Sequence, residues 1–350
     1  MKKVLYIWYN IFINSYQGGH IMEIGKLPND VLEKIVISNI RTKRKEVLVG
    51  AAIGKDSAVV DFGHEVCVMS TDPITGATKD VGRLAVHISC NDVATCGAEP
   101  LGILLTILAP PTVTENDIEG IIKDAADAAE EVNVEIIGGH TEITDAVNRI
   151  VISSTVIGKQ KKNKLPNIED IKVGDKVIVT KYVGIEGTSI IAKELYDKLK
   201  DKIGEEKLKE AQNLGEIVSV VKDGIICGEI GVKYMHDITE GGVFGAVWEA
   251  ANAVNKGIKI KEDLIPVKDV TREICSLLNI NVYRLISSGS MLVIADEKKV
   301  SKINEELSKA GIKSTVIGEV IESGVFLERD GKLLEIEPPS SDELYKVLDF

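Results

Sequence analysis

Residues 89–100 read SCNDVATCGAEP, and the direction in which each of these side chains points decides how the chain is understood. The stretch closes a helical pattern that starts at Val81. At ~100° per residue, Val81, Leu84, Ala85 and Ile88 form one apolar stripe. Asp92 falls near the middle of that stripe, flanked by Asn91. A carboxylate there is costly unless it is paired, hydrogen-bonded or bound to a cation. Gly97 suits the position just past a helix end, and Pro100 prevents continuation. Cys90 and Cys96 fall on different faces of the helix, too far apart to bridge, and read as small core residues. Asp92 can cap or bridge a neighbouring element, but an adjacent Asn-Asp pair is expensive to bury for packing alone. The carboxylate is therefore the functional signal.

Outward from this helix, VCVMSTD (66–72) and IVISSTVI (150–157) are β-branched runs that predict strands. Between them the spacing predicts helices over 80–96 and 114–131, the second capped by Thr114 ahead of Glu115 and Asp117. A strand, VEII (134–137), runs into Gly138-Gly139-His140-Thr141-Glu142, which reads as a turn. The polar, basic stretch GKQKKNKLPN (158–167) marks a domain boundary. Beyond it come a strand at 176–180, helices near 185–198, 205–222 and 241–254, a strand at 292–295, a helix at 297–310 and strands near 314–320 and 325–328. STVIG occurs at both 154–158 and 314–318, which hints at two halves built alike. Alternating strands and helices give an α/β or α+β class in each half. The division expected is an extension over 1–21, a first domain over 22–160 and a second over 170–350. In the extension, Lys2, Lys3 and an apolar patch imitate a leader peptide, but Asn10 and Asn14 interrupt it and no small-residue cleavage site follows.

Composition narrows the function. The chain has 350 residues, 44% apolar and 27% charged, with a net charge of −12. Such a charge opposes a broad electrostatic grip on nucleic acid or anionic membrane, and a polyphosphate ligand would need a metal ion to mask repulsion. Five cysteines without CxxC spacing fit a reducing, cytoplasmic setting better than a disulfide framework. The longest apolar runs, such as LGILLTILA (101–109), are too short to span a bilayer.

Further carboxylates stand at the ends of regular elements. Asp72 ends a strand before Pro73, and Asp56 lies in a Gly-led turn before an apolar run. Each alone is more often a cap or a turn residue than a ligand. Together with Asp92 they can form an oxygen-ligand site for Mg²⁺. Paired glycines at 138–139 let backbone N–H groups approach a phosphate, although such pairs are common in turns. MHDITEGGVFGAVWEAA (235–251) places Asp237 before a Gly-Gly that opens a helix, an anion site or an ordinary N-cap. SSGSM (287–291) is a Gly turn whose hydroxyls can meet a substrate or merely close the turn. There is no phosphate-loop lysine signature and no GxGxxG. His64, His87 and His236 lack zinc-type spacing and read as structural.

The ordered set GKDSAVV, STD, NDVATCGAEP, GGHTE, HDITEGG and SSGSM resembles the aminoimidazole-ribonucleotide (AIR) synthetase superfamily, which includes selenophosphate synthetase, thiamine-monophosphate kinase and the HypE branch of hydrogenase maturation proteins. The likeness runs from about residue 24 to the C-terminus and is greatest to the HypE branch. It implies a two-domain α/β fold with a C-terminal α/β sandwich, and N-terminal domains that pair in a homodimer to close a β-barrel. It further implies ATP and Mg²⁺ near that interface, phosphorylation of an amide or carbonyl oxygen, and an acceptor that is a small molecule or a protein-bound amide delivered with a maturation partner protein. By motif, Asp56, Asp72 and Asp92 would hold the metal. Asp56, Asn91, Gly138, Gly139, Thr141 and Asp237 would border the nucleotide, and Asp92, His140 and Glu142 would be catalytic. HypE ends in a substrate-carrying cysteine, whereas this chain ends ELYKVLDF with its last cysteine at Cys275. Ser340 and Glu343 have capping-box spacing, so the tail is expected to fold as a short helix rather than serve as a mobile arm. The alternatives are AIR synthetase itself, closing an imidazole ring, and a non-catalytic nucleotide-binding paralogue.

Overall fold

The computed structural model describes residues 27–74 and 80–348; the expected extension over 1–21 lies outside them. Helix α1 (Asn29–Ile35) precedes strands β1 (Val47–Val49), β2 (Ala58–Asp61) and β3 (Glu65–Ile74). Helix α2 (Val81–Ala94), strand β4 (Glu99–Ala109), helix α3 (Glu115–Glu131) and strands β5 (Glu135–Ile143) and β6 (Val151–Lys161) complete the first half. Its sheet runs β1-β2-β3-β6-β4-β5, antiparallel except for β4 beside β5. A parallel pair needs a crossover, and α3 supplies it. Thr114 closes a capping box with Asp117 at the N-terminus of α3.

Helix α2 lies on the sheet and α3 packs on α2. The approach is close because Gly82 faces the carbonyl of Ile121, where a Cβ would sit 2.2 Å from that oxygen. At the same contact His87 is buried with Nε2 3.3 Å from Glu131 Oε2, while Arg83 grips Glu131 at 2.6 and 2.9 Å. Burial, reinforced by the Arg83 charge, lowers the His87 pKa from 6.5 to about 4. Between those values the unfolded chain binds the proton and the folded one does not, so stability rises with pH across that window. Acidification from pH 6.5 to 4 is expected to cost about 3 kcal/mol through this group. Urea unfolding of wild type against His87→Gln across that range checks it; identical pH slopes would rule it out.

Beyond β6 come β7 (Lys176–Thr180), helices α4 (Ile185–Glu194), α5 (Tyr196–Ile203), α6 (Glu205–Asn213) and α7 (Val221–Ile230), then β8 (Tyr234–Asp237) and α8 (Gly242–Ala253). Strand β9 (Gly257–Lys261), helix α9 (Asp269–Leu278), strand β10 (Met291–Ala295), helix α10 (Glu297–Lys309) and strands β11 (Ser314–Ile321), β12 (Val325–Arg329) and β13 (Lys332–Glu335) follow. The second sheet is ordered β13-β12-β9-β11-β7-β10-β8. Val177 and Val179 join the core on one face, with Leu292 and Ile294, whereas Ile178, Met291 and Val293 join the core on the other. Burial on both faces explains why these strands read as unbroken apolar runs.

Several expected elements differ. The helix foreseen over 205–222 stops at Asn213, and α7 occupies 221–230. The chain tightens there into a 3-10 turn over Leu214–Ile217, and Gly215 in it packs close to α4, where a Cβ would lie 2.7 Å from Ser189 Oγ. Helix α7 is hidden in sequence by Gly224 and Gly228, poor helix formers kept because they face Ala94 and Gly97 at the junction of the two halves. The helix foreseen over 185–198 is split at Leu195. Strand β3 does not end at Asp72 but continues to Ile74, paired with β6; β2 pairs only as far as Met69, so Pro73 stands on an edge that tolerates it. GGHTE is strand rather than turn, within β5. The basic stretch after 158 begins as the last four residues of β6. The tail turn at Glu343–Lys346 is capped by Asp342, not Ser340.

Candidate active site

The turn before β2 is docked onto the second half. Gly54 sits at φ +71°, and a Cβ there would meet the Glu249 carbonyl at 2.9 Å. Tyr234 Oη donates to the Gly54 carbonyl at 3.1 Å, and the Lys55 ammonium lies 5.8 Å over the Tyr234 ring. This docking delivers Asp56 to β8, where His236 Nδ1 bonds Asp56 Oδ2 at 2.8 Å and Nε2 bonds Glu249 Oε2 at 3.0 Å. Burial alone would depress the His236 pKa; Asp56 and then Glu249 overcome it and hold the imidazole well above its usual range. Asp237 follows at the end of β8.

From the first half, Asp92 projects off α2 toward β3. Ser70 Oγ donates to Asp92 Oδ2 and also stands 3.2 Å from Asp72 Oδ2, linking the two carboxylates. Burial, then the charges of Asp237, Asp72 and Asp56, push the Asp92 pKa well above the carboxylate range. All four aspartates line one cavity of about 560 Å³ between the halves. Glu186, Glu240, Glu249 and Asp342 line it too, so eight carboxylates face Lys55, Arg149 and His236. So acidic a chamber is suited to a cation, and its oxygen donors match a hard one such as Mg²⁺. One ligand atom each from Asp56, His236 and Asp237 lie within 4.8 Å of one another. With both ring nitrogens bonded to carboxylates, His236 orients Asp56 and leaves the oxygens to act as ligands.

The aspartates picked out in sequence, Asp56, Asp72, Asp92 and Asp237, thus converge. Other expected residues do not join them. Asn91 is turned away from the cavity: its Nδ2 donates to the Val218 carbonyl at 2.8 Å and its Oδ1 accepts from Val220 N–H at 2.7 Å. Expected beside a nucleotide, it instead ties α2 to the second half. Gly138, Gly139, His140, Thr141 and Glu142 lie on the outer edge of the first sheet, away from the cavity lining. There Gly139 is required by packing, since a Cβ would fall 1.9 Å from the Leu105 carbonyl oxygen. His140 Nε2 stands 3.5 Å from Glu142 Oε2, both exposed.

The helix opened by Gly241-Gly242 is not an open anion site, because Asp342 Oδ2 accepts from Gly241 N–H at 2.7 Å. In SSGSM, Ser287 and Ser290 close the turn, Ser287 Oγ accepting from Gly184 N–H at 2.8 Å, while Ser288 lines the cavity. Sequence reasoning took His236 as structural and passed over Glu249 and Glu186. The adjacent His-Asp of β8, in a strand buried at all four positions, was the available signal for His236. Nothing in the local pattern marks the other two.

Residues 54–160 match the AIR synthase related protein N-terminal domain, and residues 172–329 match the AIR synthase related protein C-terminal domain. The chain belongs to the AIR synthase related family. Within it, the chain is similar to a Methanocaldococcus jannaschii protein named for hydrogenase expression/formation, 27% identical over 335 residues that cover 92% of this chain and 97% of that one. It is also similar to the carbamoyl dehydratase HypE of Bradyrhizobium diazoefficiens, 27% identical over 250 residues (69% and 70% covered). A third relative is a phosphoribosylformylglycinamidine cyclo-ligase of M. jannaschii, 28% identical over 317 residues (84% and 89% covered). Among solved structures, HypE in a HypE–HypF complex superposes with TM-score 0.72 at 22% identity, covering 88% of this chain and 99% of that one. HypE in complex with ATP gives TM-score 0.69 at 19% identity, covering 94% and 98%. These likenesses establish the two-domain AIR synthase-like fold. Among the described residues no helix is long and apolar enough to cross a membrane.

Proposed function

We propose that this chain is a HypE-like, ATP- and Mg²⁺-dependent enzyme that activates an amide or carbonyl oxygen by phosphorylation. The observation that carries the reading is the convergence of Asp56, Asp72, Asp92 and Asp237 from both halves on one cavity of about 560 Å³. Bound Mg²⁺ would offset phosphate charge in a chamber that otherwise repels it. Asp56 and Asp237, with Asp92 across the cavity, are the residues that would hold it. His236 fixes the Asp56 carboxylate, and Glu249 fixes His236. Lys55, whose pKa burial lowers, is the near cation for a phosphate oxygen. A HypE structure that contains ATP, and relatives named carbamoyl dehydratase, support this reading.

The reading includes a homodimer. Leu101, Leu104, Ile137 and Ile143 are exposed on β4 and β5, an apolar band that a second copy would bury. Such pairing is also the route by which Gly138, Gly139 and Thr141 would border a nucleotide, with His140 and Glu142 as acid–base groups. A maturation partner protein belongs to the same reading, supported by the HypE–HypF complex. Calorimetric titration with a non-hydrolysable ATP analogue tests it: binding is expected with Mg²⁺ and lost on chelation. No binding at millimolar analogue would overturn the reading.

A further inference from the structure

Two basic stretches that take no part in the cavity, RTKRK (41–45) and GKQKKNK (158–164), come together at one end of the first sheet. At that end Glu65, the first residue of β3, lies across from Lys161, and Lys162 N–H donates to the His64 carbonyl at 3.3 Å. On the other side Asp61 N–H donates to the Glu46 carbonyl at 2.7 Å, which brings the 41–46 segment alongside. The β2–β3 turn stands between the two stretches and is braced from within. Asp61 Oδ1 accepts from Gly63 N–H at 2.8 Å, and Phe62 N–H donates to the Glu65 carbonyl at 3.0 Å. Phe62 is thereby held at the tip, 73% exposed, and Val47, paired with Val60 on the adjoining strand, is 42% exposed. From Glu65, β3 runs seven residues to the cavity-lining Asp72, which sets the two ends about 23 Å apart.

The charges on this face do not balance. Its carboxylates are Glu46, Asp61 and Glu65; Arg44 pairs with the first, Lys162 with the second, and Lys161 lies across from the third. Arg41, Lys43 and Lys45 are exposed, and among the described residues no carboxylate pairs with any of them. A protruding aromatic side chain beside uncompensated cations is suited to anionic lipid, where the apolar group enters the headgroup–acyl boundary and the cations meet phosphate. Lysine predominates here over arginine, the reverse of a protein interface, where arginine is enriched and lysine depleted. A nucleic-acid duplex would offer phosphates but no apolar layer to Phe62. The net charge of −12 does not oppose local docking, since at physiological ionic strength charges beyond about 8 Å are largely screened. We propose that this end of the first sheet docks on an anionic lipid surface, with Phe62 inserted and Arg41, Lys43 and Lys45 against the headgroup phosphates. The cavity, at the other end of β3, stays open to solution, and the docking does not depend on the reaction assigned to it.

Co-sedimentation with vesicles tests the face. The full chain is expected to bind vesicles of equimolar phosphatidylcholine and phosphatidylglycerol and to stay in solution with phosphatidylcholine alone. Raising the salt from about 0.1 M to about 1 M, which shortens the screening length from about 10 Å to about 3 Å, is expected to release it. Phe62→Ser, and separately Lys43→Gln combined with Lys45→Gln, are each expected to weaken binding about tenfold or more, with unchanged urea midpoints reporting an intact fold. No sedimentation with the anionic vesicles, equal sedimentation with the neutral ones, or full binding by both variants would overturn the docking face. Tighter binding to duplex DNA or to polyglutamate than to the vesicles would overturn it as well, by giving the face to another class of polyanion.

Discussion

Asp56→Asn is expected to weaken Mg²⁺-dependent binding of an ATP analogue by more than about 100-fold. The size follows from a graded comparison within one chain of contacts. Asp56 bonds His236, and His236 bonds Glu249. Loss of a group that only orients a metal ligand typically costs about 10–100-fold in affinity. Glu249→Gln, which reaches Asp56 through His236, falls in that class. Removing the Asp56 charge deletes the ligand itself and leaves the His236 imidazolium facing a neutral amide, so the loss exceeds that range. Calorimetry of both variants, with and without Mg²⁺, gives the ordering. If Asp56→Asn binds as wild type does, the aspartates are not the metal cage and the cavity serves another ligand.

Of the four aspartates only Asp92 broke a local rule; the other three stood where caps and turns are ordinary and were picked out by the ordered set of motifs. Asp92 interrupts an apolar helix stripe, Asp56 and Asp72 border apolar strands, and Asp237 precedes a Gly-Gly helix start. A violated pattern is visible in one dimension; convergence is not, since it depends on Gly54 docking against Glu249 and on Gly224 meeting Ala94 across the halves. The fold class was legible for a similar reason. Strands buried on both faces read as apolar runs and α3 begins at a cap, whereas α7 was invisible because the glycines that let it pack are those that disguise a helix. GGHTE misled in the opposite sense. Paired glycines suggested a turn, but Gly139 is present because β4 comes within touching distance of it in a parallel strand pair. Glu186 had no signal at all. An acid in the first turn of a helix is ordinary there, and only the tertiary fold shows that this one is buried.

Asn91→Leu is expected to destabilise the protein by about 2–6 kcal/mol without removing a single cavity-lining group. Asn91 is fully buried, and both ends of its carboxamide are bonded to backbone, to the Val218 carbonyl and the Val220 N–H. Val218 and Val220 are themselves fully buried, so neither backbone group can turn to water when the amide is lost. Each such orphan costs about 1–3 kcal/mol, and leucine, of similar size, supplies no partner. Because the bonds run from α2 to the segment that leads into α7, the penalty falls on the junction between the halves. Urea unfolding should show a lower midpoint with an unchanged slope if the protein still unfolds as one unit. A second, earlier transition would show that the halves separate first. A loss under about 1 kcal/mol would mean that the 218–220 segment finds other partners, and that Asn91 is free to serve the neighbouring site after all.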